Sequence, residues 1–184
     1  VLLKDLGCSS NAAAVCELFL GDDRQLKHDF KLIGPDPQDF GAFILRETGV
    51  GAAEPARAEA IAHLLQNAGP IMAGLMETRC TRGADIARRL RFSERVATSI
   101  AHLDEHWDGS GLPYQIAGEN IALGGRIALP AQLVDIFYVA GGRDAARAEV
   151  ARRRGTWVDP ALADLFLTLS DDDGFWADLG ASDI

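Results

Sequence analysis

An all-α fold is predicted by three observations. Apolar residues recur at helical spacing along nearly the whole chain. No segment shows the period-two alternation of a half-buried strand. One long unpatterned stretch, residues 104–126 (DEHWDGSGLPYQIAGENIALGGR), interrupts the helices and places Gly109, Gly111 and Pro113 within five residues. No helix runs through such a cluster. A loop of about 20 residues is uncommon in a compact domain and usually functional.

Residues 1–6 read as the last turns of a helix whose start lies upstream, closed by Gly7. Ser9 or Ser10 is the expected cap of the next helix, with Ala13, Cys16 and Leu20 at helical spacing. Asp22 and Asp23 open a short helix bearing Leu26, Phe30 and Ile33, which Pro35 and Pro37 end. Phe40, Phe43 and Ile44 mark another. After a glycine-rich joint at 49–53, Glu54 and Pro55 open the longest run, since proline suits the first helical turn. Ile61, Leu64, Leu65, Ala68, Ile71, Met72, Leu75 and Met76 keep its period to about residue 79, with a kink expected at Gly69 and Pro70.

Two more helices are predicted, one bearing Ile86 and Leu90 and one capped by Ser93 with Val96, Ile100 and Leu103. Beyond the irregular stretch, a new helix starts near Gly125 and Arg126. Residues 127–139 are apolar around Pro130, and residues 143–154 form a charged surface helix whose Arg152, Arg153 and Arg154 suit a solvated end. Asp159 and Pro160 open a helix with Leu162, Leu165, Phe166 and Leu169. Residues 170–184 read as an acidic C-terminal appendage containing Phe175 and Trp176.

Composition bounds the function. With 184 residues the chain makes one domain, 1–184. A net charge of −9 argues against a nucleic-acid footprint or an anionic membrane as partner. No run of 18 apolar residues suggests a membrane span. Cys8, Cys16 and Cys80 are odd in number without CxxC spacing, which suits packed thiols in a reducing cytoplasm. Apolar helix faces left uncovered would favour a homodimer.

From Glu105 onward, EHWDGSGLP resembles the HHE-xx-DG-xGYP signature of the HD-GYP branch of the HD phosphohydrolase superfamily. AGENIALGGRIA resembles the family's following loop and helix start, and LLKDLG its His-Asp-glycine segment. The likeness covers nearly the whole chain. It implies an HD-domain-like helical bundle with a long GYP-like loop, here without the family's first helices. It also implies two or three divalent metals (Mn, Fe or Mg) held by histidines and aspartates. Their chemistry is cleavage of a phosphodiester such as cyclic di-GMP, with paired metals clamping attacking and leaving oxygens.

Carried over position by position, that ligand set is mostly replaced. Lys4 stands for the first histidine, beside a retained Asp5; Arg79 stands for the isolated histidine. Leu103 and Asp104 stand for the paired histidines, Gln132 for the later aspartate and Cys8 for a lysine. Glu105, Asp108, Gly109, Gly111, Pro113, Gly118, Ile121 and Arg126 keep the loop pattern, and Leu112 replaces its tyrosine.

The residual pocket is therefore expected to comprise Lys4, Asp5, Arg79, Asp104, Glu105 and Gln132, without a cofactor. Lys4 and Arg79 are expected to neutralise the carboxylates that metals would otherwise hold. His102 and His106 are expected at the surface or in hydrogen bonds, and His28 and His63 exposed or at the core edge. The leading expectation is a non-catalytic signalling or interaction module whose partners are other signalling domains or proteins. Two alternatives stand beside it. One is an active metal-dependent phosphohydrolase, and the other is a sensor that binds a phosphate-bearing nucleotide without cleaving it.

Overall fold

A computed structural model describes residues 6–34 and 36–180. Its regular structure is helical, and no strand occurs among the described residues, as the periodicity predicts.

Gly7 leads into a 3-10 helix, Cys8–Asn11, and then α1, Ala12–Phe19. A Cβ on Gly7 would lie 1.8 Å from the Arg79 carbonyl oxygen. Glycine is therefore required here by the approach of two backbones, beyond any role in ending a helix. The serine cap does not form. Asn11 takes the cap position of α1 and donates its side-chain amide to the Leu75 carbonyl at 3.1 Å instead. A buried tertiary bond wins over a local one.

Asp22 caps α2, Asp23–Phe30, by accepting from the Arg24 and Gln25 amides. Asp36 caps α3, Pro37–Glu47, which has proline in its first turn. Pro35 lies outside the described residues. These helices lay Val15, Phe19, Leu26, Phe43 and Ile44 against Leu64 and Leu75 of α4. Phe19 and Phe30 both meet Phe43 edge-on, with centroids 5.8 Å apart.

α4, Glu54–Arg89, is one helix of 36 residues. The separate helix predicted around Ile86 is its continuation. The expected kink is present: Asn67 leaves helical geometry three residues before Pro70, and its side chain donates to the His63 carbonyl at 3.0 Å. α5, Glu94–Ala101, returns against α4 so closely that a Cβ on Gly83 would lie 2.8 Å from the Ile100 side chain. Ala84, Ala87, Ala97, Ile100 and Ala101 fill this contact.

The irregular stretch contains a 3-10 turn, Gly118–Asn120, and ends at α6, Leu123–Arg153. Gly142, at φ 75°, divides α6 into the two helices expected from sequence, and Pro130 is buried in the first. Asp159 caps α7, Pro160–Leu169, and α8 is Asp173–Gly180. Leu133, Val134, Ala146, Val150, Val158 and Trp176 form the core these three helices share. Trp176 is 2% exposed and donates its indole N–H to the Ser170 carbonyl at 2.8 Å.

The arginine run is not uniformly solvated. Arg153 is 1% exposed, with its guanidinium against the Glu149 carboxylate and bonded to the Ile33 carbonyl at 3.2 Å. Its neighbours Arg152 and Arg154 are exposed. The sequence expectation failed because helix-end composition does not show which of three adjacent arginines turns inward.

Candidate functional site

The signature stretch is held from within by Glu105. This carboxylate is 2% exposed and accepts the backbone N–H of Tyr114 at 2.7 Å and of Ile116 at 3.0 Å. The Leu112 N–H donates to the Asp104 carbonyl at 3.0 Å, and the Leu112–Pro113 peptide is cis. At Gly111 a Cβ would lie 2.2 Å from the His106 nitrogen and 2.5 Å from the Glu105 Cα. No side chain fits there. Asp108 turns the chain by accepting the Ser110 N–H at 2.9 Å, and Gly109 follows with φ 84°.

The same stretch is tied to the α6–α7 junction. Trp107 and Asp108 donate backbone N–H groups to the Trp157 and Thr156 carbonyls at 3.0 and 2.8 Å. Arg126 reaches Asp159 at 2.9 Å, and its guanidinium lies 5.9 Å from the centre of the Trp107 ring. Asp159 also accepts the Ala161 N–H. One carboxylate thus joins a helix cap to the loop's arginine.

Both nearby histidines are engaged. His106 stacks on Trp157 with centroids 4.1 Å apart, and Arg153 places its Cζ 3.8 Å from the same ring. The Nδ1 of His106 is 3.0 Å from the Ser110 hydroxyl, and burial pushes its pKa down to about 4. It is neutral near pH 7. His102 accepts the Ala122 N–H on Nδ1 at 3.1 Å, and burial lowers its pKa as well. His28 is exposed beside Asp29, and His63 is exposed on α4.

Arg79 donates from Nη1 to both carboxylate oxygens of Asp104 at 2.8 Å, with the side chains 11% and 17% exposed. The Cys80 thiol lies 3.4 Å from the same carboxylate. Burial, and next the Asp104 charge, push that thiol's pKa well up, so it is an unreactive core thiol. Leu103 is buried, and the Gln132 Oε1 is buried without a hydrogen-bond partner. Lys4 and Asp5 lie outside the described residues. Of the expected pocket, the structure brings Arg79 and Asp104 together and turns Glu105 toward the loop. Arg153 and Trp157 were missed by sequence reasoning. A tryptophan in a polar turn after Gly155 was their only signal.

Among the described residues, no group of three or more His, Cys, Asp or Glu side chains could hold a metal ion. The donors present do not fit the metal centre that the family resemblance implies.

A family model described as HD domain matches residues 52–162. The 3'3'-cGAMP-specific phosphodiesterase 3 of Vibrio cholerae is 44% identical over 184 residues, all of this chain and 40% of that protein. A cyclic di-GMP phosphodiesterase of the same organism is 34% identical over 73 residues, 36% of this chain and 15% of that protein. A crystal structure of a cyclic GMP-AMP-specific phosphodiesterase from V. cholerae superposes with a TM-score of 0.68 at 39% identity. It covers 99% of this chain and 39% of the solved one. The chain thus spans about two fifths of the length of these two long matches.

Two expectations are corrected by these findings. Full-chain identity of 44% to a protein named as a phosphodiesterase overturns the non-catalytic signalling module and supports the phosphohydrolase alternative. The expectation of no cofactor falls with it, because HD-family phosphodiesterases are metal-dependent. Both errors have one origin. Both expectations were read from ligand replacements alone, whereas a relative 44% identical over the whole chain is named as a phosphodiesterase.

Proposed function

This chain belongs to the HD-domain family, and we propose that it is part of a metal-dependent phosphodiesterase that opens a cyclic dinucleotide, with 3'3'-cGAMP the first substrate to test. The observation that carries the reading is the 44% identity over the entire chain to a relative bearing that name. We place it in the HD-GYP branch. EHWDGSGLP supports this, as do the uses found for its residues: Glu105 holds the loop amides and Gly111 allows the backbone crossing. Leu112, where the signature has tyrosine, removes one ring and hydroxyl from that loop.

A divalent metal would supply Lewis-acid activation of water for cleavage of the phosphodiester. The described residues of this segment do not form its site, so no step is assigned to them. Their contribution is architectural: they fix α4, α5, the signature loop and the α6–α7 junction relative to one another. The same reading has the enzyme act in the cytoplasm on a small phosphorylated ligand, without nucleic acid or membrane. Other signalling domains and a second copy are its proposed partners.

The test is chromatographic analysis of 3'3'-cGAMP and cyclic di-GMP incubated with the full-length protein and Mn²⁺. Linear product that disappears with a chelator is expected. No hydrolysis of any cyclic dinucleotide under metal loading would overturn the proposal.

A further inference from the structure

The residues between 102 and 108 carry five side chains that could ligate a cation: His102, Asp104, Glu105, His106 and Asp108. Each has at least one partner within the protein. His102 accepts the Ala122 amide, and Glu105 accepts two loop amides, one on each oxygen. His106 is stacked on Trp157 with Nδ1 at Ser110, and Asp108 accepts the Ser110 amide. Asp104 receives the Arg79 guanidinium on both oxygens.

A metal site needs unprotonated donors converging on one point. These donors diverge. Glu105 faces the loop backbone, His106 the α6–α7 junction and Asp104 helix α4. An ion at Asp104 would also meet Arg79, a permanent cation. An incoming metal would have to break charge-assisted bonds that hold the fold, at a cost for every group left unpaired.

We infer that this donor-rich stretch is a structural tie in which Arg79 supplies the positive charge Asp104 requires. The stretch itself does not bind the metal ions of the proposed enzyme. The inference rests on the metal-dependent phosphodiesterase reading. It assigns Arg79 and Asp104 to the stability of the α4–loop contact and removes them from metal binding.

The experiment is elemental analysis of full-length protein loaded with Mn²⁺ and dialysed, comparing wild type with Asp104→Asn. The expected result is an unchanged number of metals per chain together with a fall in melting temperature on the order of 5 °C, from the broken, partly buried pair. Should that variant fail to fold, Arg79→Gln/Asp104→Asn removes both charges together, and its metal content is expected to equal wild type. A folded variant of either kind that loses one or more metals per chain overturns the inference. Wild-type protein that holds no metal and cleaves nothing overturns both this inference and the phosphodiesterase reading. Metal loss in the variant alone overturns only the inference.

Discussion

The N-terminal layer and the signature loop are held together in opposite ways. Helices α1–α3 meet α4 through an apolar cluster in which phenylalanines pack edge to face around Phe43. Dispersion and burial act in all directions there, so a neighbour can adjust when one side chain changes. The loop between α5 and α6 has little regular structure, yet it is fixed by named polar bonds: two amides on Glu105, two on the 156–157 carbonyls and Arg126 on Asp159. Irregular backbone is thus not loose backbone. A layer held by area should respond to lost volume. A loop held by individual donors should respond to lost donors, acceptors and proton balance.

The largest effect is expected in the layer. Phe43→Ala removes a ring that is 2% exposed and should cost about 3–5 kcal/mol in urea denaturation. Phe43→Leu, which keeps most of the volume, should cost far less. If the two cost the same, the volume argument for this layer fails.

The loop should carry the larger pH response. His106 is neutral in the fold, with its pKa lowered by burial to about 4, against an unfolded value of about 6.5. The unfolded state therefore binds more protons between these values, so stability from this group is complete above about pH 6.5 and falls as pH drops toward 4. The full loss should reach roughly 3 kcal/mol, followed through the emission of Trp107 and Trp157 in denaturation series. His106→Gln should flatten that part of the profile. A variant profile as steep as wild type would remove His106 as the cause.

Glu105→Gln should be the mildest of the three. The amide retains one acceptor oxygen for two partly buried N–H groups, so about 1–2 kcal/mol should be lost. Hydrogen exchange at Tyr114 and Ile116 should show one amide becoming unprotected. Equal protection of both in the variant would mean that Glu105 does not anchor the loop.

Much of this architecture was legible because its causes are local. Asp22 and Asp159 cap helices through their own side chains, Pro70 kinks α4, and α6 divides between the two runs read from sequence. The fold class followed from the same periodicity. Positions decided by distant partners were not legible. Asn11 bonds across the core to Leu75, α4 runs through residues 80–89 because α5 packs on them, and Arg153 is drawn inward by Glu149, Trp157 and Ile33. In the candidate site, the sequence showed which residues form the signature stretch and suggested that Arg79 would meet a carboxylate. It could not show that both Glu105 oxygens are used by Tyr114 and Ile116 or that His106 stacks on Trp157. The ligand replacements at Lys4, Arg79 and Leu103 also suggested lost chemistry, a reading that the 44% full-chain identity to a protein named as a phosphodiesterase overturns.

The most direct test of the structural tie is to follow the His102 and His106 ring signals of full-length protein by NMR during Mn²⁺ loading. Bound Mn²⁺ broadens nearby nuclei, so its position can be read even where activity is unaltered. The account predicts that both rings keep their linewidths at the loading where hydrolysis reaches its maximum. Selective loss of either signal at one equivalent of metal would contradict it, placing the ion within the stretch that Glu105, Arg79 and Trp157 hold together.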